Sequence, residues 1–179
     1  MSPLRTVAGD RDSALTTPWT HDALGMDIQA AGFSVTGNIT WVANLASYVP
    51  FVLARPKLVA QLFWLNGTTA AGNTDVGVYD EGLNKIISTG STANSGTTTL
   101  QAVNVTDTLL QPGRYWLALA SDSSTHIYQG DSIIARALDY FGVKQQASGW
   151  SSGLLTTPTF AVPAQTLLPI YGFTPGSVV

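Results

Sequence analysis

Short β-type runs separated by turn residues recur along this chain, and almost no stretch carries a helical pattern. Apolar residues at i, i+3, i+4 and i+7 bounded by caps are what an amphipathic helix requires. The nearest approaches are 23–31, broken by Gly25, and 133–141, whose Tyr-Phe end suits a strand equally well. Strand signals instead read at 48–55, 57–67, 75–80, 85–90, 97–107 and 113–122, and later at 126–129, 132–137, 138–144 and 168–173. Turn signals every 8–12 residues or so between runs of this kind imply an antiparallel sandwich or barrel. Pro50 predicts an edge strand or a bulge. Asn66-Gly67 reads as a turn after 57–65.

Alternation places some faces. Leu100, Ala102, Val103 and Val105 flank polar Gln101 and Asn104. Residues 115–120 are apolar on both faces, which predicts a strand covered on both sides, by a second sheet or by a subunit neighbour. The first 40 residues hold Pro3, Pro18, four glycines and Trp19 with little alternation. They read as an N-terminal arm, extended or ordered by assembly, leaving 41–179 as one β-domain. At 179 residues the chain is long enough for one domain with a real core and short for two.

Composition excludes several functions. Lys and Arg number 8 against 11 Asp and Glu, a formal net charge of -3, so no basic face can neutralise a run of phosphates and nucleic acid is not an expected partner. Charged residues are 11% of the chain, well under the roughly 25% of an ordinary domain. Hydroxyls fill the gap, with 22 Thr and 15 Ser. A weakly charged, hydroxyl-rich surface is compatible with packing against further copies. No cysteine is present, which removes thiol and disulfide chemistry. The N-terminus lacks an apolar signal core and no apolar run is long enough to cross a bilayer as a helix, so neither export by a standard signal nor a membrane partner is expected.

Catalytic sets are sought and not found. Gly149-Trp150-Ser151-Ser152-Gly153 matches the G-x-S-x-G nucleophile pattern, but no histidine follows His126 and no helix-like segment follows Gly153. His21 and His126 belong to no metal-binding spacing. One glutamate, Glu81, and ten aspartates in turn contexts offer no evident acid pair. Asp75, Asp80 and Glu81 lack a calcium-loop pattern. The expectation is therefore no catalytic residue, no metal and no cofactor. Residues 74–90 read as a hairpin with its turn at 80–84, Asp75 and Asp80 bracketing the first strand and Glu81 on the turn beside Lys85.

Aromatic side chains remain as binding candidates, because sandwiches hold sugars by stacking. Trp41, Trp64 and Trp116 fall in apolar strands and read as core. Trp150, in a polar glycine-rich run, and Tyr128, beside Gln129 and Asp131, form the candidate glycan-stacking set. Asn38, Asn66 and Asn104 begin N-x-[ST] sequons and read as ordinary turn and strand residues.

Two short motifs carry a resemblance. Gly77-Val78-Tyr79-Asp80 and Pro112-Gly113-Arg114-Tyr115-Trp116-Leu117-Ala118, within about 45–122, make this region similar to a domain of tailed-bacteriophage virion proteins. The resemblance implies a jelly-roll β-sandwich, for which the turn-bounded runs supply about eight strands, while the extended N-terminal arm read from 1–40 lies outside it. It also implies a non-enzymatic decoration or fibre component that assembles through its arm and apolar strand faces. Other virion proteins, further copies of the chain in a trimer, and a host surface glycan are the partners it implies. The location it implies is the virion, after synthesis in the host cytoplasm. The alternative on the same fold is a carbohydrate- or receptor-binding module. The motifs themselves are scaffold: a strand glycine for close approach, turn chemistry at 80–82, and a tight Pro-Gly turn.

Overall fold

The pairing that organises the molecule is nested. The computed structural model describes residues 28–29, 37–132, 135–140, 142–147, 153–164 and 166–175. The central strands are β3 (Leu45–Leu53), β4 (Lys57–Leu65), β8 (Leu100–Leu110) and β9 (Gly113–Ser121). β3 pairs β9 from Leu45↔Ser121 to Leu53↔Gly113, while β4 pairs β8 from Lys57↔Leu110 to Leu65↔Leu100. Both pairs are antiparallel, and they lie in different sheets. The short connections 54–56 and 111–112 therefore lie side by side at one end, each carrying the chain from one sheet to the other.

Around these pairs are β1 (Ile28–Gln29), β2 (Gly37–Thr40), β5 (Asn73–Asp80), β6 (Lys85–Ser88), β7 (Thr92–Ala93), β10 (Ile127–Ser132), β11 (Lys144–Ala147), β12 (Leu167–Pro169) and β13 (Tyr171–Pro175). One sheet runs β11-β3-β9-β5-β6, with β7 also on β5; a second runs β1-β13-β4-β8; a third, small one runs β12-β10-β2. All described pairings are antiparallel, so the chain is an all-β sandwich, as expected.

The core lies between the first two sheets. Val49, Phe51, Leu117, Leu119, Val76 and Val78 face Leu62, Trp64, Tyr171 and Phe173, all buried in one cluster. Phe51 and Phe173 meet across the gap with ring centroids 5.8 Å apart. Fully burying side chains of this size contributes about 1.5–3 kcal/mol each. Trp41 and Trp64 are core, as expected, and the Trp41 indole donates to the Leu45 carbonyl at 2.9 Å.

The hairpin expected at 74–90 is present: β5 pairs β6, with Val78 opposite Ile87. Its turn is closed by Asp80 N–H to the Asn84 carbonyl at 3.0 Å and by Asn84 N–H to Asp80 Oδ1 at 2.8 Å. Pro50 sits where β11 has stopped, since that ladder ends at Lys144↔Tyr48; the second half of β3 then has only β9 beside it among the described residues. A missing N–H costs nothing on that side.

After Asn66-Gly67 the chain passes to the other sheet, where β5 lies. One expectation needs correction. Residues 135–140 are helix, α1 (Ala135–Tyr140), where strands were expected over 132–137 and 138–144; Leu138 is buried in the core cluster, and strand resumes only at β11. A six-residue helix is too short to leave a periodic pattern. Within the stretch expected as an arm, β2 pairs β10 with Ile39 buried, and β1 pairs β13.

Candidate functional site

The apolar outer face of β9 is covered by this chain itself. Side chains of Ala46 and Tyr48 on β3, Tyr79 on β5, and Ala118 and Ala120 on β9 form a second buried cluster with Leu154. Trp116 and Phe160 pack on its margin, their ring centroids 4.7 Å apart. Residues 153–164 thus form a strap across the sheet, and the strap is what accounts for the two-faced apolar character of 115–120.

A buried carboxylate holds the strap. Asp75 is fully buried, and its Oδ2 accepts the Leu154 N–H at 2.8 Å while Oδ1 accepts the Thr89 hydroxyl at 3.2 Å. Gly153 precedes with φ at +114°, and a Cβ there would lie 2.5 Å from Asp75 Oδ2, so glycine is required twice over. Lys85 Nζ donates to the Leu154 carbonyl at 2.8 Å, and the Tyr79 hydroxyl donates to the Leu155 carbonyl at 2.5 Å. Gly77 makes room on the same face, since a Cβ there would stand 2.9 Å from Leu154 Cδ1. The close approach expected at Gly77 is made by Leu154 of the strap and by the Ile87 backbone carbonyl of β6, 3.0 Å from such a Cβ.

Electrostatics follow from this burial. Desolvation raises the Asp75 carboxyl above its usual range, opposed by the Leu154 amide, the Lys85 cation and the Thr89 and Ser88 hydroxyls. Desolvation also pushes the Tyr48 hydroxyl up to about 12 and raises Tyr79. Asp80, by contrast, is held below its usual value by the side-chain and backbone donors of Asn84. The acids of 74–90 therefore divide. Asp80 is turn chemistry, and Glu81 is exposed and meets Arg114 at 3.6 Å rather than Lys85. Asp75 is not a bracket at the strand's end but an anchor beneath the strap. No acid–base work follows, because both oxygens are engaged and covered.

The end of the sandwich opposite the short connections is polar inside. Trp64 Nε1 donates to Asn66 Oδ1 at 2.9 Å and to Asn94 Oδ1 at 3.0 Å. Asn66 Nδ2 donates to the Ser95 carbonyl at 2.8 Å and to Gln101 Oε1 at 3.0 Å. Thr74 Oγ1 donates to Asn94 Oδ1 at 2.8 Å, so its contact with the Tyr128 hydroxyl has tyrosine as donor. Asn73 N–H and Nδ2 reach Asp122 at 2.7 and 2.6 Å. Amides around buried Asn66 that satisfy one another this fully fix the loops 66–72, 94–99 and 122–126 together.

His126 sits in the same region, fully buried and edge-on to Tyr128 with ring centroids 4.2 Å apart. Its Nδ1 accepts the Ala71 N–H at 3.2 Å, which places the ring proton on Nε2. Nε2 is buried with no hydrogen-bond partner among the described residues. Burial lowers the imidazole to about 4, so it is neutral at physiological pH.

Of the candidate stacking set, Tyr128, Gln129 and Asp131 are among the described residues. Tyr128 is fully buried against Trp41 and His126, and burial raises its hydroxyl pKa, so it has no face for a sugar. Its position on β10 alternates inward, a fact the local sequence does not reveal. Gln129 is half-buried on the opposite side of the strand and pairs Asn38. Asp131 lies opposite Leu168 on β10. Trp150, with Ser151 of the G-x-S-x-G match, lies outside the described residues, as do Trp19 and His21. Among the described residues, no three of His, Asp and Glu stand close enough to hold a metal ion. No helix among them is long and apolar enough to cross a membrane.

What sequence reasoning missed is the pair of polar anchors, Asp75 and Asn66. The signal for Asp75 was present: it shares strand parity with Gly77 and Tyr79, so it belongs to the face those residues occupy. Asn66 left no such trace. No family model matches this chain, and neither does any curated protein or solved structure compared with it.

Proposed function

We propose that this chain is a non-enzymatic structural component of a tailed-bacteriophage virion, a decoration or fibre module on a jelly-roll-type sandwich that works by assembling with further copies and with other virion proteins. The observation that carries the reading is the placement of the two motifs behind the resemblance. Gly77 to Asp80 and Tyr115 to Ala118 are adjacent strands at the centre of one sheet, paired Gly77↔Ala118, Val78↔Leu117, Tyr79↔Trp116 and Asp80↔Tyr115. Their conspicuous residues serve packing: Tyr79 and Gly77 seat the strap, and Asp80 closes the turn. The nested pairs β3–β9 and β4–β8 support the jelly-roll part of the reading, since that fold joins its two sheets by connections of this kind. A fold of this class hosts many functions, so the assignment rests on the motifs and not on the architecture alone.

The test is mass spectrometry of purified tailed-phage particles whose genome encodes this chain. The chain is expected among the virion proteins, in many copies for a decoration role and in few for a tail role. Its absence from intact particles overturns the proposal.

A further inference from the structure

β8 is the longest strand described, 11 residues, and it ends its sheet: in the order β1-β13-β4-β8 no described strand pairs with its outer edge. Such an edge presents a row of unpaired backbone N–H and C=O groups, and what fits it is another β-strand. Edges are ordinarily guarded by lysine, proline or inward charge. Residues 100–106 read L-Q-A-V-N-V-T, with no charge and no proline. The strand's single charge, Asp107, falls where the register jumps, three residues of β8 (105–107) lying opposite Ala60 alone between the pairs Gln61↔Asn104 and Val59↔Thr108. This bulge ends the regular ladder, so 100–104 is the segment whose edge is straight enough to pair.

The segment is also held in place. The side chain of Gln101 receives Ser95 N–H at 2.9 Å and donates to the Ala93 carbonyl at 2.8 Å, and Val103 packs on the core. Its other face is open: Leu100, Ala102 and Asn104 are exposed, Leu100 to 46%.

Resting on the reading that this chain assembles with further copies, we infer that two copies join edge to edge through 100–104, antiparallel about a twofold axis at Ala102. That register sets Ala102 against its counterpart and Leu100 against Asn104 of the second copy. It covers an exposed leucine on each side, brings no like charges together, and leaves Asp107 beyond the paired segment. The same patch serves both partners, as a closed twofold contact requires. The symmetry is twofold, in place of the threefold that the resemblance implies.

Sedimentation velocity on the full chain over a concentration series tests this, with A102K and A102E as variants at an exposed position and thermal melts as the folding control. Wild type is expected to form a dimer. Each variant alone is expected to dimerise roughly fivefold more weakly or worse, since like charges then face each other across the ladder, and an equimolar mixture is expected to recover the dimer. Hydrogen exchange on the wild type gives an independent reading: amides of 100–104 are expected to gain protection as concentration rises. An oligomer unaffected by either substitution, a trimeric mass, or unchanged protection at 100–104 overturns the edge pairing while leaving assembly through another surface intact. A wild type that stays monomeric throughout overturns self-association altogether, whereas membership of the virion is read separately from the particles.

Discussion

The backbone N–H of Leu154 donates to the carboxylate of Asp75 at 2.8 Å, joining residues 79 apart in sequence. That single bond fixes where the strap begins its path over Tyr48, Tyr79 and Ala118. Replacing the acceptor separates its two contributions. Asp75→Ala leaves the Leu154 N–H buried without a partner and is expected to lower unfolding free energy by about 2 kcal/mol. Asp75→Asn retains an oxygen and is expected to stay within about 1 kcal/mol of wild type at neutral pH. Urea unfolding followed by tryptophan fluorescence measures both.

Acid acts on the same residue in a direction opposite to most carboxylates. Because the folded-state pKa of Asp75 lies above the ordinary 3.8, the folded state binds its proton more tightly than the unfolded one. This group therefore adds stability as pH falls through its raised folded value, and the addition is complete below 3.8. Asp75→Asn is expected to remove that gain. A pair of urea titration series across the acid range, wild type against variant, checks the slope.

His126 works the other way. Its folded value of about 4 lies below the ordinary 6.5, so the folded state binds the proton less tightly. Stability is expected to fall as pH drops from 6.5 towards 4, by up to about 3 kcal/mol, as the unfolded chain takes up the proton first. Protonation would also turn Nδ1 from acceptor to donor against the Ala71 N–H. His126→Gln is expected to flatten this part of the profile. Unchanged acid sensitivity in the variant would show that the loss arises elsewhere.

Asn66 closes the polar end, and it does so from inside. Asn66→Ala removes an acceptor for Trp64 and the donor to Ser95 and Gln101. The expected cost is about 2–3 kcal/mol, with amide exchange accelerating at Thr98, Thr99 and Gln101 before the rest of the sandwich. Uniform acceleration throughout would mean that the loops have no independent stability.

Gly77→Ala probes the strap from the sheet side. The added methyl would meet Leu154 Cδ1 at 2.9 Å and the Ile87 carbonyl at 3.0 Å. Overpacking of this kind costs about 1–3 kcal/mol. The emission of Trp116, packed against Phe160 of the strap, is expected to shift to the red if the strap lifts.

Much of the sandwich was legible because its strands are bounded by turn residues and alternate where one face is wet. The 74–90 hairpin followed from its turn residues, and β4 and β9 from turn-bounded apolar runs. The helix at 135–140 did not, since six residues span under two turns and present no repeat. Asn66 read only as a turn residue because a turn signal is local, whereas its side chain is bonded to residues 29 and 35 positions away. Tyr128 failed as a binding residue for the same reason: a strand's parity is visible in sequence, but which face meets the core depends on its partners.

The nested pairs have a kinetic consequence. Leu53 meets Gly113 and Leu45 meets Ser121, so the ladder at the centre of the sandwich joins residues 60 to 76 positions apart. No local hairpin supplies that ladder, and the chain must close this loop before β3 and β9 can pair. Loop closure of this length precedes its reward, which places refolding in the millisecond-to-second range typical of all-β topologies. Until then the uncharged edge of 100–104 has no sheet behind it, and the newly made chain is at its most adhesive during those first moments.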